Sequence, residues 1–187
     1  MSFFVFSAGS GKGGDLGGLQ GADAHCQKLA AAAGAGKRQW RAYLRTEEAG
    51  KRGMSARDRI GKGPWYNAKG VLIAENIADL HLYNRTIDKE TALTEKGELV
   101  NGRLDKPNQH DILTGSMDDG AAYIPDGKDH TCNNWTSSDA GSAQVGHHDR
   151  HGGGNLSWTS AQGSRGCSVE ALAKTGNNGR FYCFAAD

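Results

Sequence analysis

Leu113-Thr114-Gly115-Ser116, Thr131-Cys132-Asn133-Asn134-Trp135-Thr136, Ser157-Trp158, Gly166-Cys167-Ser168 and Arg180-Phe181-Tyr182-Cys183-Phe184 decide how this chain reads. Short apolar or aromatic runs bounded by Gly, Ser and Asn have the length and punctuation of strands, and the polar text between them reads as loops. Three of the four cysteines and two of the four tryptophans lie in this part of the chain. The stretch predicts a series of short strands and long loops pinned by disulfides.

Upstream, Phe3 to Ser7 is apolar and aromatic, a buried strand. The glycine-rich run at 9–18 lacks the Lys-Ser/Thr ending of a phosphate-binding loop and reads as a flexible turn. Residues 21–33 read as a helix, with Ala22, Cys26, Leu29, Ala30 and Ala33 on one face, Asp23 near the positive end and Gly34 just past the C-terminus. Residues 39–45 alternate: Trp40, Ala42 and Leu44 face one way, and Arg41, Tyr43 and Arg45 face the other, toward solvent. Residues 71–74 read as a short strand and 76–83 as a short helix turning Ile77 and Leu80 inward. The polar text at 84–111 has no clear period, and strand character resumes at Ile112.

At 187 residues the chain suits one domain spanning 1–187, long enough to bury a core. With 28 Gly and only 3 Pro, tight turns and irregular loops dominate, not a helical bundle. A net charge of +1 points to neither nucleic acid nor membrane surface, and no apolar run approaches the length of a membrane span. The four cysteines contain no Cys-x-x-Cys pair, so zinc-ribbon and thioredoxin-type chemistry are excluded in favour of two disulfides and an oxidising compartment. Phe3-Phe4-Val5-Phe6 is too short for a signal-peptide core and has no basic residue before it. The expectation is the mature form of a secreted or periplasmic protein.

The order of Gly17-Gly18-Leu19-Gln20-Gly21-Ala22-Asp23-Ala24-His25-Cys26, Trp40-Arg41-Ala42-Tyr43-Leu44, Ala56-Arg57-Asp58-Arg59, Leu113-Thr114-Gly115-Ser116, Thr131-Cys132-Asn133-Asn134-Trp135, Gly166-Cys167-Ser168 and Phe181-Tyr182-Cys183 resembles the endostatin domain. That domain is the C-terminal module of certain basement-membrane collagens and a variant of the C-type-lectin-like fold. The chain is also similar to bacterial secreted proteins described as lectin-like. The resemblance implies an α+β fold with mixed or antiparallel sheets, one main helix, long loops and two nested disulfides, Cys26–Cys183 and Cys132–Cys167. Four cysteines allow three pairings, and their spacing alone selects none.

Four groups of residues are candidates for binding. His147, His148, Asp149 and His151 put three imidazoles and a carboxylate within five residues, the donor types of a transition-metal site such as zinc. The N-terminal histidines of the endostatin zinc site have no counterpart, because no His precedes His25. Asp118 and Asp119, with Asp126, offer oxygen ligands for calcium. The Glu-Pro-Asn or Gln-Pro-Asp loop of calcium-dependent lectins is absent, which argues against calcium-dependent sugar binding. Residues 37–62 carry nine Lys/Arg against three acids. Arg41 and Arg59 there lie in segments that match endostatin, which binds heparan sulfate through surface arginines; Arg45 joins them as a candidate for a polyanion face. Trp65 and Tyr66, between Gly63-Pro64 and Asn67, are the exposed aromatics best placed to stack on sugar rings. Asn84-Arg85-Thr86, Asn134-Trp135-Thr136 and Asn155-Leu156-Ser157 fit the glycosylation acceptor pattern.

No Gly-x-Ser-x-Gly elbow, His-Glu-x-x-His helix or acid/base carboxylate pair appears, so the chain reads as non-catalytic. The reading is a secreted binding module, lectin-like in its recognition of extracellular carbohydrate or polyanion. The alternative is a structural or assembly subunit of an extracellular or envelope complex. A metal-dependent enzyme using the 147–151 loop comes third.

Overall fold

The computed structural model describes residues 1–83, 86–152 and 155–187. It is an α+β protein: one main helix, three small antiparallel sheets and two disulfides. Among the described residues no helix is long and apolar enough to cross a membrane.

The first sheet divides the interior. Strands β1 (Phe3–Val5) and β2 (Trp40–Ala42) flank β8 (Tyr182–Ala185), so the last strand of the chain is central between its first two. Phe4, Trp40, Ala42, Cys183 and Ala185 face a cluster that contains Ala22, Cys26 and Ala30 of α1 (Gly18–Ala32). Phe3, Val5, Tyr182 and Phe184 face a second cluster with Ile60, Trp65, Ile112 and Trp158. Side chains alternate across a strand, so a sheet covered on both faces needs apolar residues at every position. That requirement accounts for the unbroken run Tyr182-Cys183-Phe184-Ala185. Each large side chain sealed there contributes about 1.5–3 kcal/mol of apolar burial.

The same covering corrects the reading of residues 39–45. Strand β2 ends at Ala42, Tyr43 is fully buried in the second cluster, and Arg45 is 1% exposed. Alternation had placed these residues toward solvent, but both faces of the sheet are occupied.

Helix α1 begins three residues earlier than predicted and presents Ala22, Cys26 and Ala30 inward, as its spacing requires. Gly34 follows it at φ 80°, the left-handed conformation expected of a helix-terminating glycine. Cys26 reaches Cys183 with Cα atoms 5.6 Å apart, and Cys132 reaches Cys167 at 5.7 Å; these are the nested pairs that the resemblance implies. Asp23 is not a helix-dipole residue: its carboxylate accepts hydrogen bonds from Arg41, Arg59 and the Ala42 amide, joining α1 to β2.

The second sheet pairs β3 (Trp65–Tyr66) with β4 (Leu72–Ala74), and Leu80, in the helical turn after it, is buried as predicted. The third sheet has the order β5-β6-β7, from Asp111–Leu113, Gln144–His147 and Gln162–Gly163. Gly146 allows its close packing, because a Cβ there would sit 1.8 Å from the Trp158 carbonyl oxygen. Cys132 to Trp135 form a left-handed turn, with φ between 48° and 66° at all four residues. Such a conformation costs a non-glycine residue about 1–2 kcal/mol. It is held by Thr131 Oγ1, which accepts from the Asn134 amide, and by Asp129, which accepts from the Thr131 and Asn133 amides.

Candidate functional site

Antiparallel pairing of β5 with β6 sets Asp111 directly opposite His147. Residues directly opposite across two strands bring their side chains together on one face. His110, one residue ahead of the strand, joins them. Asp111 Oδ1 lies 3.1 Å from His147 Nε2 and 3.2 Å from His110 Nε2, and the two imidazoles stack with centroids 4.2 Å apart. The three residues are 0%, 5% and 3% exposed for Asp111, His147 and His110. The Asp111 Oδ1, His147 Nδ1, His147 Nε2 and His110 Nδ1 atoms are buried without a hydrogen bond of proper geometry, although the nitrogen–oxygen distances are short. Contact without alignment means that Asp111 Oδ1 and the two Nε2 atoms meet in one region more than they bond to each other. Asp111 Oδ2 is fixed separately, accepting from Gln162 Nε2 at 3.0 Å.

The metal set read from the sequence is dispersed. His147 belongs to this cluster. His148 is buried beside it, its amide donating to the His110 carbonyl and its Nε2 lying 3.1 Å from the Asn101 carbonyl. Burial, against the Asn101 carbonyl and Asp149, pushes the His148 pKa down to about 4. Asp149 stands behind His110, with Oδ1 3.4 Å from His110 Nδ1, and accepts from the Arg103 and His151 amides. Burial alone would raise the Asp149 pKa, but His110 and these amides overcome it and hold the carboxyl far below its ordinary value. His151 is exposed. Strand β6 ends at His147, and the residues that follow it turn to different partners, so the four do not converge. His110 and Asp111 went unread because they end a polar segment without period. Their one sequence signal is a His-Asp pair placed immediately before the apolar Ile112-Leu113.

His110 and His147 of the cluster line a cleft of about 590 Å³, with Arg103, Arg165 and Lys174 at its exposed rim. All three cations are exposed, and among the described residues no acidic side chain pairs with any of them. Asn108, Asn155 and Gln162 supply further polar lining.

The other predicted binding residues lie elsewhere, and most are engaged. Arg45 donates to the carbonyls of Gly115 and Thr46, pairs with Glu47 at 2.6 Å, and sits over the Tyr123 ring. Arg59 pairs with Asp23 at 2.7 Å and donates to the Ala42 and Leu44 carbonyls; Arg41 pairs with Asp23 at 2.8 Å. Arg41 is the most accessible of the three, with a side chain 37% exposed. Asp119 pairs with Arg57 at 2.9 Å, Asp126 accepts from His130, and Asp118 is exposed. The acidic loop therefore gathers no calcium cage: among the described residues the convergent set of possible metal ligands is His110, Asp111 and His147. Trp65 is not an exposed platform. Its ring is buried, and Nε1 donates to the Ala185 carbonyl at 3.0 Å, while Tyr66 is 38% exposed. Asn84 and Arg85 of the first glycosylation pattern, and Gly153 and Gly154 of the histidine loop, lie outside the described residues.

A second cleft, of about 410 Å³, lies between Arg45 and Glu47 on one side and residues 123–130 on the other. Most of its charged groups are paired internally, Arg45 with Glu47, Lys51 with Glu48 and His130 with Asp126, while Asp129 accepts backbone amides and Lys128 is exposed without an acidic partner among the described residues. No curated protein matches this chain. Residues 9–152, more than half of its length, match the family described as protein of unknown function (DUF1554), and the chain belongs to that family.

Proposed function

We propose that this chain is a secreted, non-catalytic binding module of C-type-lectin-like, endostatin-like architecture that takes an acidic carbohydrate, or a similar extracellular polyanion, in the cleft above His110 and His147. The observation that carries the reading is the rim of Arg103, Arg165 and Lys174, three exposed cations around a polar concavity that have no acidic partner among the described residues. Guanidinium groups match carboxylate and sulfate oxygens with paired hydrogen bonds, and a lysine adds a point charge. The nested disulfides, the single main helix and the small antiparallel sheets support the architecture, and the disulfides support an oxidising compartment. Arg41, the most exposed predicted arginine, is a secondary contact at most, since Asp23 already holds it.

Calorimetric titration with a sulfated oligosaccharide and its desulfated counterpart tests this. The sulfated form should bind, more weakly as salt rises, since exposed charges are screened within about 8 Å at physiological ionic strength. Replacing both Arg165 and Lys174 by Glu should lower affinity at least about tenfold, the equivalent of about 1.4 kcal/mol. Equal affinity for the desulfated form, or for the doubly substituted protein, would reject the reading.

The assembly-subunit reading rests on Leu82, Leu99, Leu104 and Ile124, each more than half exposed. Single exposed apolar side chains are ordinary on protein surfaces, so this observation carries less than the cationic rim. A native mass twice that of the chain, with no glycan binding, would favour it.

A further inference from the structure

We propose that His110, His147 and Asp111 form a binding site for one divalent transition-metal ion of the zinc class. Three independent observations support it. The first is spacing. Two ligand atoms that share an ion at about 2.1 Å lie roughly 3.0–3.4 Å apart at octahedral to tetrahedral angles. Asp111 Oδ1 is 3.1 Å and 3.2 Å from the two Nε2 atoms.

The second is unsatisfied valence. Asp111 Oδ1 and both His147 nitrogens are buried without hydrogen-bond partners. A buried polar group left unpaired costs about 1–3 kcal/mol, so several converging on one point need a compensating partner. An ion shared by Asp111 Oδ1 and His147 Nε2 supplies it for those two atoms, since one imidazole offers a single nitrogen to one ion.

The third is the outer layer. Histidine ligands ordinarily direct their second nitrogen at a carboxylate or carbonyl, and ligand carboxylates are themselves hydrogen-bonded. His110 Nδ1 faces Asp149 Oδ1, and Gln162 Nε2 donates to Asp111 Oδ2. Asp149 in turn is held by two backbone amides. Two imidazoles and one carboxylate are the donors of zinc and neighbouring transition metals, whereas calcium and magnesium prefer oxygen alone. The imidazoles now stack at an interplanar angle of 21°. Binding would turn one ring about its Cβ–Cγ bond so that both lone pairs meet the ion. Three protein ligands leave coordination positions open to the cleft, where an anionic group of a bound ligand would fit. In that last respect only does the site draw on the function proposed above.

Tag-free protein, stripped with a chelator and dialysed, should be titrated with zinc ion alone, and with calcium and magnesium as controls. One equivalent of zinc should bind, calcium should not, and the thermal midpoint should rise with zinc as for any ligand of the folded state. His147→Gln and Asp111→Asn should abolish binding. Asp149→Asn should weaken it about 10–100-fold through loss of orientation. His151→Gln, outside the ligand set, should leave it unchanged. Absence of stoichiometric zinc binding to the wild-type protein, or zinc binding that survives both His147→Gln and Asp111→Asn, would overturn the proposal. Should those variants fail to fold, histidine ring signals of the wild-type protein decide. Zinc must perturb the buried His110 and His147 rings, and shifts confined to His25, His130 and His151 would overturn the site. Because zinc is used without carbohydrate, failure here leaves anion binding at the rim standing, and failure at the rim leaves the metal site standing.

Discussion

The two clefts differ in what their charges do. Around Arg45 most cations have an acid: Glu47 for Arg45, Glu48 for Lys51 and, nearby, Asp119 for Arg57; Lys128 alone of the cleft's Lys and Arg has none among the described residues. Around His110, among the described residues, the rim cations have no acidic partner, and buried nitrogens and an oxygen below them lack hydrogen bonds. The first region draws on the most basic segment of the sequence, 37–62, and on the acidic text at 118–129 that was its rival. Folding gives most of these cations an acid: Arg57 meets Asp119 of the acidic text, and the others meet Asp23, Glu47, Glu48 and Asp187. Of the nine Lys/Arg in 37–62, six lie within ion-pair distance of an acid. Charge density along a chain thus does not tell which charges stay unpaired once the chain has folded.

The strongest way to break this contrast is to remove a paired acid at the framework end. Asp23 accepts from Arg41, from Arg59 and from the Ala42 amide, and the Arg59 side chain is only 7% exposed. Asp23→Ala leaves a buried guanidinium uncompensated, and breaking such a pair typically costs about 3–5 kcal/mol. Urea unfolding should show a loss of that order. Binding at the rim of the other cleft should persist at temperatures where the variant is folded. A loss no larger than that of an exposed pair such as Lys51–Glu48 would mean that the 37–62 cations are free after all.

A smaller effect is expected inside the paired cleft. Arg45→Met keeps the aliphatic volume but strips hydrogen bonds from the Gly115 and Thr46 carbonyls and removes the cation from above Tyr123. Glu47 keeps the His130 amide as a donor, which limits the damage. Buried carbonyls without donors cost about 1–3 kcal/mol. The denaturation midpoint should fall accordingly, whereas Arg165→Met, at the exposed rim, should leave it in place. Equal losses at the two positions would erase the distinction between the clefts.

How much of this was legible follows from how local each cause is. Cys26, Ala22 and Ala30 share a helical face within three turns, and Gly34 marks its end, so α1 could be read directly. Phe3–Val5 and Leu72–Ala74 announced themselves by apolar composition. Trp65 did not, because its two-residue strand is too short for a period and its burial is set by Ala185, 120 residues later. Arg45 misled because alternation was carried past Ala42, where the strand stops. Within the site, His147 was visible as part of a histidine-rich run. Its true partners depend on the register that sets Asp111 opposite it, which no local pattern encodes. The rim is assembled from Arg103, Arg165 and Lys174, far apart in sequence and unremarkable one by one.

The subtlest expected effect is on pH dependence, and it comes from two buried histidines that line neither cleft. His81 lies in the second core cluster's neighbourhood with both ring nitrogens occupied: Nδ1 is 2.8 Å from the Ile77 carbonyl and Nε2 is 2.7 Å from the Tyr43 hydroxyl. A carbonyl only accepts, so Nδ1 carries the proton and donates, and the Tyr43 hydroxyl donates to Nε2; the ring is neutral. Burial lowers its pKa, with Arg57 adding to the effect against the Ile77 carbonyl and Asp119. Tyr43 is pushed the other way by its own burial, well above the ordinary phenol, and stays a donor throughout the accessible range. A histidine whose folded pKa lies below its unfolded value of about 6.5 contributes stability that is complete above that pH. The contribution is lost as pH falls from about 6.5 toward the folded pKa, at a rate of at most about 1.4 kcal/mol per pH unit. Unfolding free energy measured between pH 7.5 and pH 5, above the range where carboxylates dominate, should therefore decline on the acid side. His148, held down to about 4, adds to the decline in the same direction. His81→Gln should flatten the curve while leaving the His148 share intact. An unchanged slope in that variant would show that the Tyr43–His81–Ile77 arrangement does not exclude the proton.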